Sequence, residues 1–306
     1  MVAAARAARV IGKQMPTRKI DMHSHWGTKR GYPMQDAEGL ALQKSTFNST
    51  AKFVTEEEMC DYFRAQKVTT ILDLTFPVFL PVEEMKPHHD YAFEVQKANP
   101  DVIIGHWAHF DPRRGEEGLR ELRRCADVAP GFFGLCVGGA GNIPASDPLY
   151  DPFYKLCIEA KLPVLILLGT TAYGSGARGG GGVLLESAHP RHLDYVAATY
   201  PDLTIIAGRP AWPWQQEALA VLLHKRNVWY ELHGWSPKYH EAELKYEITR
   251  RLKDRVMFGA DYPLISYERL EQDWRAQDYS EEMLEKIFYR NAEAFFHSIG
   301  RTPPGA

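Results

Sequence analysis

The heptapeptide Ile20-Asp21-Met22-His23-Ser24-His25-Trp26 is the stretch from which the fold can be predicted. Its two histidines stand at i and i+2, and in an extended chain side chains two apart point to the same face. His23 and His25 can therefore direct two imidazoles at one point. Neutral imidazole is the commonest protein ligand of zinc and similar divalent ions. The stretch predicts a β-strand whose end carries metal-binding groups.

A second stretch, near the carboxyl end of the chain, complements the first. Arg255-Val256-Met257-Phe258-Gly259-Ala260-Asp261-Tyr262-Pro263 is a short apolar run that ends in an aspartate, and a proline follows two residues later. Interpreted as a strand, it places the Asp261 carboxylate at its C-terminal tip. If the chain closes into a β/α barrel, the tips of the first and last strands meet at one rim. That closure would bring Asp261 to His23 and His25.

Length and composition are those of a globular protein with room for one large domain. The chain has 306 residues, 45% apolar and 25% charged, and a β/α barrel needs ~250 residues. A net charge of −3 indicates no nucleic-acid or anionic-membrane partner, and no apolar run approaches the ~20 residues of a membrane span. Four dispersed cysteines argue against a disulfide framework, so we expect a cytoplasmic protein.

Short apolar runs alternate with helical segments over most of the chain. We expect strands at residues 19–23, 68–75, 102–107, 131–137, 162–168, 203–207, 228–232 and 256–258. This alternation indicates an α/β fold, either a (β/α)8 barrel or a doubly wound sheet, with all strand tips on one side. We expect residues 1–18 to form a basic N-terminal arm used in oligomer contacts, and residues 19–306 to form a single barrel domain.

Two connections have the character of binding loops. Residues 27–50 are too many for a simple connection, and long loops in compact domains tend to be lids or binding loops. Residues 174–182, Gly-Ser-Gly-Ala-Arg-Gly-Gly-Gly-Gly, lack the strand and helix context of a dinucleotide site. We interpret them as a mobile loop over the barrel mouth.

The motifs resemble those of a known family. His23-Ser24-His25 and Phe258-Gly259-Ala260-Asp261-Tyr262-Pro263-Leu264 are similar to the first and last metal motifs of the amidohydrolase superfamily. The closer match is its amidohydrolase-related branch, which contains aminocarboxymuconate-semialdehyde decarboxylase and aromatic-acid decarboxylases. The resemblance extends from about residue 20 to residue 296, and it implies a (β/α)8 TIM barrel with its active face at the strand tips.

The sequence departs from the family pattern at two positions. Leu167 stands where members carry a metal-binding histidine after the fifth strand, and Arg209 stands where they carry a histidine after the sixth. No lysine stands at the tip of the fourth strand, which is occupied by Cys136 and Val137. We therefore expect a reduced, mononuclear site rather than a bimetallic one.

The remaining side chains, His23, His25 and Asp261, can still hold one divalent ion. Three protein ligands plus water are typical of a catalytic zinc site, where the pKa of the water falls toward ~7. We expect zinc as the cofactor, with iron or manganese as alternatives. The family also implies a catalytic role for Asp261, as the base that orients the water.

Arg209 admits two interpretations, which the sequence leaves open. Its guanidinium repels a dication and cannot act as a base, because its pKa exceeds ~12. In the first interpretation it binds a substrate carboxylate through a bidentate pair. In the second it replaces the charge of a lost metal ion and pairs with Asp261. Trp212 and Trp235, beside the predicted rim, are candidate walls of a pocket for a small organic acid.

Other histidines are candidates for replacement ligands. His106 and His109 lie near the tip of the third predicted strand, and His233 follows the seventh, although such a histidine is more often a rim or core residue. We expect the remaining histidines in other places: His189 and His192 at a helix start, His88 and His89 in a loop, and His224, His240 and His297 at the surface.

Several functions are compatible with these residues. The first is a metal-dependent hydrolase or non-oxidative decarboxylase that acts on a small carboxylated substrate. The second is a non-catalytic or supporting subunit of a heteromer with a paralogous barrel that keeps the full ligand set; a metal-dependent oxygenase of this kind is a narrower form. A pure binding protein is a further alternative. The family implies homo-oligomers or larger assemblies.

Overall fold

Each strand of the sheet pairs in parallel with the next strand along the chain. The computed structural model describes residues 16–128, 132–138 and 142–305. The sheet order is β1 to β8 without a crossover between non-neighbours. The strands are β1 Lys19–His25, β2 Val68–Leu74, β3 Ile103–His109, β4 Phe132–Val137, β5 Val164–Leu167, β6 Ile205–Gly208, β7 Val228–Glu231 and β8 Val256–Met257.

Backbone hydrogen bonds join the first strand to the last segment and nearly close the ring. The N–H of Met22 donates to the carbonyl of Phe258 at 2.9 Å, and the N–H of His25 donates to the carbonyl of Tyr262 at 2.6 Å. The predicted (β/α)8 barrel is therefore confirmed, and the doubly wound alternative is wrong. Closure places the ends of β1 and β8 side by side at one rim.

Helices follow the strands and pack around them. They are α1 Ala37–Phe47, α2 Glu56–Ala65, α3 Val82–Ala98, α4 Gly115–Asp127, α5 Asp151–Glu159, α6 Pro190–Thr199, α7 Gln215–His224, α8 Ala242–Ile248, α9 Tyr267–Arg275, α10 Glu281–Glu285 and α11 Asn291–Ser298. A π-helical turn, Lys286–Arg290, joins α10 to α11. The described residues contain no helix long and apolar enough to span a membrane.

Two apolar clusters divide the barrel into an inside and an outside. The inner cluster fills the ring with alternate strand residues, among them Met22, Trp107 and Leu165, and Phe295 and Phe296 of α11 belong to it. The outer cluster lies between the strands and the surrounding helices. Because the ring is filled with side chains, polar groups at the strand tips stand on an apolar floor.

Some helices differ from the sequence expectation. Residues 27–50, which we expected to be a loop, contain helix α1. Gln43 is the only buried residue of this helix, so the helix has no amphipathic pattern. Helix α3 begins at Val82 and includes Pro87, so it starts before the two histidines that we had expected in a loop. His88 and His89 therefore lie in a helix and not in a loop.

Two further expectations concern the surface and the N-terminus. His240 is buried beside Trp274, with ring centroids 5.5 Å apart, so its surface assignment is wrong. The predicted arm of residues 1–18 lies outside the described residues as far as residue 15. Within the described part, Arg18 forms an ion pair with Glu293 at 2.6 Å.

Candidate metal centre

The tips of β1 and β8 bring the three predicted metal ligands together. Nε2 of His25 lies 3.1 Å from Oδ1 of Asp261, and Nδ1 of His23 lies 3.7 Å from the same oxygen. All three side chains are largely withdrawn from solvent. The sequence-based expectation that these residues converge agrees with this geometry.

A second carboxylate, Asp73 of β2, faces the same histidines. Its Oδ2 lies 2.9 Å from Nε2 of His23, and its Oδ1 lies 3.9 Å from Nδ1 of His25. His25 and Asp73 are register partners on neighbouring strands, which explains why their side chains meet. Sequence reasoning missed Asp73; the available signal was a single aspartate next to the end of an otherwise apolar strand.

The donor set fits a divalent ion. Nδ1 of His23 is buried without a hydrogen-bond partner among the described residues, and it faces Oδ1 of Asp261 at 3.7 Å, just beyond hydrogen-bond distance. Two ligands bound ~2.0–2.2 Å from one tetrahedral ion lie ~3.4 Å apart, close to the 3.7 Å and 3.1 Å that separate Asp261 from His23 and His25. Imidazole nitrogens with carboxylate oxygens suit zinc, iron or manganese.

Buried charges shift the titration of these groups. Burial lowers the pKa of His23 to about 4, with help from the neighbouring His233. Burial also opposes the charged form of His25, but hydrogen bonding to Asp261 and the charge of Asp73 outweigh it and raise the pKa of His25. Burial would raise the pKa of Asp261, but its histidine neighbours, His25 foremost, hold that pKa below the usual range. The site thus favours ionised carboxylates and a neutral His23.

The backbone fixes Asp261 in an unusual conformation. Asp261 has φ 60°, in the left-handed region that non-glycine residues rarely adopt, and its N–H donates to the carbonyl of His23 at 3.0 Å. Arg209 and Ala211, after β6, have φ values of 73° and 63°. Such conformations cost ~1–2 kcal/mol each and concentrate at functional sites.

Arg209 is held by a short chain of polar groups from β7. Its Nε donates to Nε2 of His233 at 3.1 Å, while Nδ1 of His233 contacts the Glu231 carboxylate. Burial and the charge of Arg209 contribute to lowering the pKa of His233 to about 3, which keeps the ring neutral. Arg209 and Asp261 both lie in the described part of the chain, and they form no ion pair with each other there. The structure therefore does not have the pairing of the second interpretation.

Glycines make room for the Glu231 carboxylate. A Cβ on Gly259, in the sequence motif before Asp261, would lie 2.2 Å from Oε2 of Glu231, and one on Gly208 would lie 2.7 Å from Oε1. The Phe258–Leu264 motif thus supplies space as well as a carboxylate. Sequence reasoning missed Glu231, which ends an apolar strand.

The three candidate replacement histidines have different positions. His109 points into the site, where its Nε2 lies 2.8 Å from Oδ2 of Asp73. His233 also reaches the site and lies within ligand range of His23 and Asp261, but Arg209 occupies its Nε2. His106 is buried on the outer side of β3, where its ring stacks on Trp26 with centroids 5.7 Å apart.

A cavity opens above these groups. It has about 660 Å³ of empty space, including its mouth, and the polar residues at its base include His23, His25, Asp73, His109, Arg209 and Asp261. Its walls come from the predicted binding loop, with Tyr32, Pro33 and Met34, and from Leu167, Tyr173 and Leu264. Trp235 lines an adjoining opening, and Trp212 is 45% exposed with its ring centroid 5.8 Å from that of Trp235.

The chain matches one family over nearly its whole length. The model of the amidohydrolase family matches residues 20–297. The chain belongs to the amidohydrolase family. This membership confirms the resemblance predicted from the His23-Ser24-His25 and Phe258–Leu264 motifs. A separate comparison of this amidohydrolase with curated proteins found no match.

Solved structures share the fold of this amidohydrolase. An uncharacterised TIM-barrel protein from Bordetella bronchiseptica is 18% identical, with a TM-score of 0.68, over 93% of this chain and 100% of its own. A 2,6-dihydroxybenzoate decarboxylase from Rhizobium is 18% identical, with a TM-score of 0.66, over 92% and 99%. A 5-carboxyvanillate decarboxylase from Novosphingobium aromaticivorans, complexed with manganese and 4-hydroxy-3-methoxy-5-nitrobenzoic acid, is 18% identical, with a TM-score of 0.65, over 94% and 97%.

Proposed function

We propose that this amidohydrolase is a metal-dependent enzyme that removes a carboxyl group from a small carboxylated ring compound without oxidation. Hydrolysis of such a compound is the related alternative. The observation that carries the proposal is the set His23, His25 and Asp261, which converges at the base of a cavity that Arg209 also lines. The proposed reaction class is supported by decarboxylases that have the same fold.

His23, His25 and Asp261 would hold one divalent ion. A bound ion of this type supplies Lewis acidity toward substrate oxygens. Zinc remains the expected metal on ligand chemistry, and the manganese in a decarboxylase neighbour makes manganese the main alternative. The buried, pre-formed ligand set reduces the reorganisation that binding requires.

Arg209 would bind the substrate carboxylate. Its side chain is half-buried in the cavity, and His233 engages its Nε. The edge formed by Nη1 and Nη2 is then the one that can face a carboxylate with two parallel hydrogen bonds. Glu231 and His233 would act as positioning residues, because they fix the plane of the guanidinium.

The cavity walls suit a flat ring. Tyr32, Met34, Leu167, Tyr173 and Leu264 surround the polar base with apolar surface. Pockets for small organic ligands combine such walls with a few placed polar groups. Trp235 and Trp212, at the adjoining opening, stay candidates for contact with a longer substituent.

An assay of carboxylated ring compounds tests the proposal. Protein loaded with Mn²⁺ or Zn²⁺ is incubated with a panel that includes 2,6-dihydroxybenzoate and 5-carboxyvanillate, and CO2 release is measured. We expect turnover, a loss of at least ~100-fold in His25→Gln, and a raised KM in Arg209→Gln. The exposed Arg178 provides the control variant Arg178→Gln, which should leave KM unchanged.

One observation favours a second role. Leu167, buried against the cavity, stands where the family carries a metal-binding histidine. A chain with this deficit could support a paralogous barrel within a hetero-oligomer. Absence of turnover over the whole panel in metal-loaded protein, together with stable assembly with such a paralogue, would favour this role over the enzyme.

A further inference from the structure

Three metal-ligating side chains meet at the tips of β2, β3 and β4. They are Asp73, His109 and Cys136, and one potential ligand atom from each lies within 4.8 Å of the other two. His109 and Cys136 are register partners on neighbouring strands, so the barrel itself aligns them. All three are buried, and Asp73 and His109 also line the cavity, which gives an ion a route of entry.

The contacts between His109 and Asp73 are slightly shorter than the spacing of ligands around one ion. Nε2 of His109 lies 2.9 Å and 2.8 Å from the two oxygens of Asp73. The thiol of Cys136 also contacts this carboxylate. Ligands bound ~2.0–2.3 Å from one ion lie ~3–3.5 Å from their neighbours, so little movement is needed to admit a cation.

A second trio elsewhere in the fold shows what is special about Asp73. His89, Glu121 and Cys125 also lie within 4.8 Å of one another, between α3 and α4. There Arg124 donates to both oxygens of Glu121, at 2.8 Å each, and supplies the compensating charge. Asp73 has no lysine or arginine nitrogen within 4.0 Å among the described residues.

This difference matters because a buried carboxylate is strongly unfavourable without a nearby cation. Asp73 and Asp261 bring two negative charges to the site, and Arg209 brings one positive charge on the β6 side. The partners of Asp73 are imidazoles, the hydroxyl of Thr75 and the thiol of Cys136, none of which carries a fixed positive charge. The local charge therefore favours a cation beside Asp73.

We propose that Asp73, His109 and Cys136 bind a second divalent cation, next to the position proposed for His23, His25 and Asp261. The inference rests on the proposed function and adds a metal position to the same site. Thiolate, imidazole and carboxylate together favour zinc, iron or cobalt over magnesium or calcium. His23, whose Nε2 lies 2.9 Å from Asp73, connects the two positions.

This arrangement differs from the mononuclear site expected from the sequence. That expectation rested on Leu167 and on the missing lysine at the tip of β4. The structure offers ligands from β2, β3 and β4 instead, so the losses at β5 and β6 do not limit the site to one ion.

Cobalt loading tests the proposal directly. The protein is stripped of metal with a chelator and reloaded with Co²⁺. Two quantities are then measured: the number of bound cobalt ions per chain and the near-ultraviolet absorption spectrum. We expect two ions per chain and a thiolate-to-cobalt charge-transfer band. Cys136→Ser should lose the band and one ion, and His109→Gln should lose the same ion. The matched control, Cys125→Ser, removes the thiol of the other trio and should keep both ions and the band.

The outcomes separate this proposal from the proposed function. Bound cobalt without a thiolate band, or a band and stoichiometry unchanged in Cys136→Ser, overturns the second position; a loss of metal in His25→Gln would then still uphold the first. A single ion that Cys136→Ser removes and His25→Gln retains upholds the position at Asp73 and overturns the first assignment. Circular dichroism checks folding, and His109→Gln gives the same stoichiometric test if Cys136→Ser does not fold.

Discussion

The carboxylate of Asp21 accepts a hydrogen bond at 3.0 Å from the backbone N–H of Ala260, which joins the first strand to the turn that carries Asp261. Four more groups donate to this buried carboxylate: the N–H of His23 and the hydroxyls of Ser24, Thr70 and Tyr267. Asp21 therefore aligns the strand that holds the two histidines with the segment that holds the third ligand.

Replacement of Asp21 should destabilise the barrel. Asp21→Ala leaves several buried donors without an acceptor, and we expect a loss of ~2–4 kcal/mol in the free energy of unfolding. Urea denaturation measures this value. The exposed Asp202 provides a control, since Asp202→Ala should change stability by less than ~0.5 kcal/mol. A loss below ~1 kcal/mol in Asp21→Ala would contradict the role given to this residue.

Glu121 should make the free energy of unfolding depend on pH in the acidic range. Burial would raise its pKa, but hydrogen bonds from Arg124 and the contact with His89 outweigh it and lower the pKa to about 2, from 4.5 in an unfolded chain. The stabilisation is fully present above the unfolded-state pKa and is lost as pH falls through the folded-state value.

The comparison is between wild type and Glu121→Gln in urea at several pH values. We expect a difference of ~1–3 kcal/mol above pH ~5 that shrinks toward zero near pH ~2. Glu159→Gln, which removes an exposed ion pair with Arg123, should give a small difference at every pH. A pH-independent difference for Glu121→Gln would show that the ionised carboxylate is not the cause.

Gly259 should tolerate no side chain. The Cβ of Gly259→Ala would lie 2.2 Å from Oε2 of Glu231 and 2.9 Å from Cβ of His233, so we expect a loss of ~3 kcal/mol or more. Gly179→Ala is the control: its Cβ meets nothing within 4 Å, and its φ of 62° should cost only ~1–2 kcal/mol. Thermal melting distinguishes them, and equal shifts would refute the steric argument.

Leu167 should be convertible into a metal ligand. It lines the cavity with His25 and Asp261, at the place where the family carries a histidine. We expect Leu167→His to tighten zinc binding by ~10-fold or more, and Leu167→Met, which conserves the volume, to leave affinity unchanged. Competition with a chromogenic chelator gives both constants. An unchanged affinity in Leu167→His would place the metal away from β5.

The sequence predicted the barrel and the convergence of His23, His25 and Asp261 for a definite reason. His23 and His25 share one strand face, and Asp261 follows an apolar run in a recognisable motif, so spacing and family likeness agreed. Asp73 and Glu231 were not predicted, because a lone carboxylate at the end of an apolar strand has no spacing pattern of its own. Their importance depends on register, which only the closed barrel shows.

The interaction partner of Arg209 also could not be predicted from the sequence. The sequence placed it after the sixth strand but left open whether it pairs with Asp261 or faces a substrate. In the structure Arg209 donates a hydrogen bond to His233, which Glu231 holds in turn, and it does not pair with Asp261. Helix α1 escaped prediction for a different reason: Gln43 is its only buried residue, so its sequence has no apolar stripe of helical period.

The central claim is that a divalent ion binds between His23, His25 and Asp261. Anomalous diffraction at the absorption edge of the metal, recorded from crystals of metal-loaded protein, tests it most directly. The account predicts an anomalous peak ~2.0–2.3 Å from Nε2 of His25 and from a carboxylate oxygen of Asp261. No peak at that point, with the Arg209 guanidinium bonded to Asp261 instead, would contradict it.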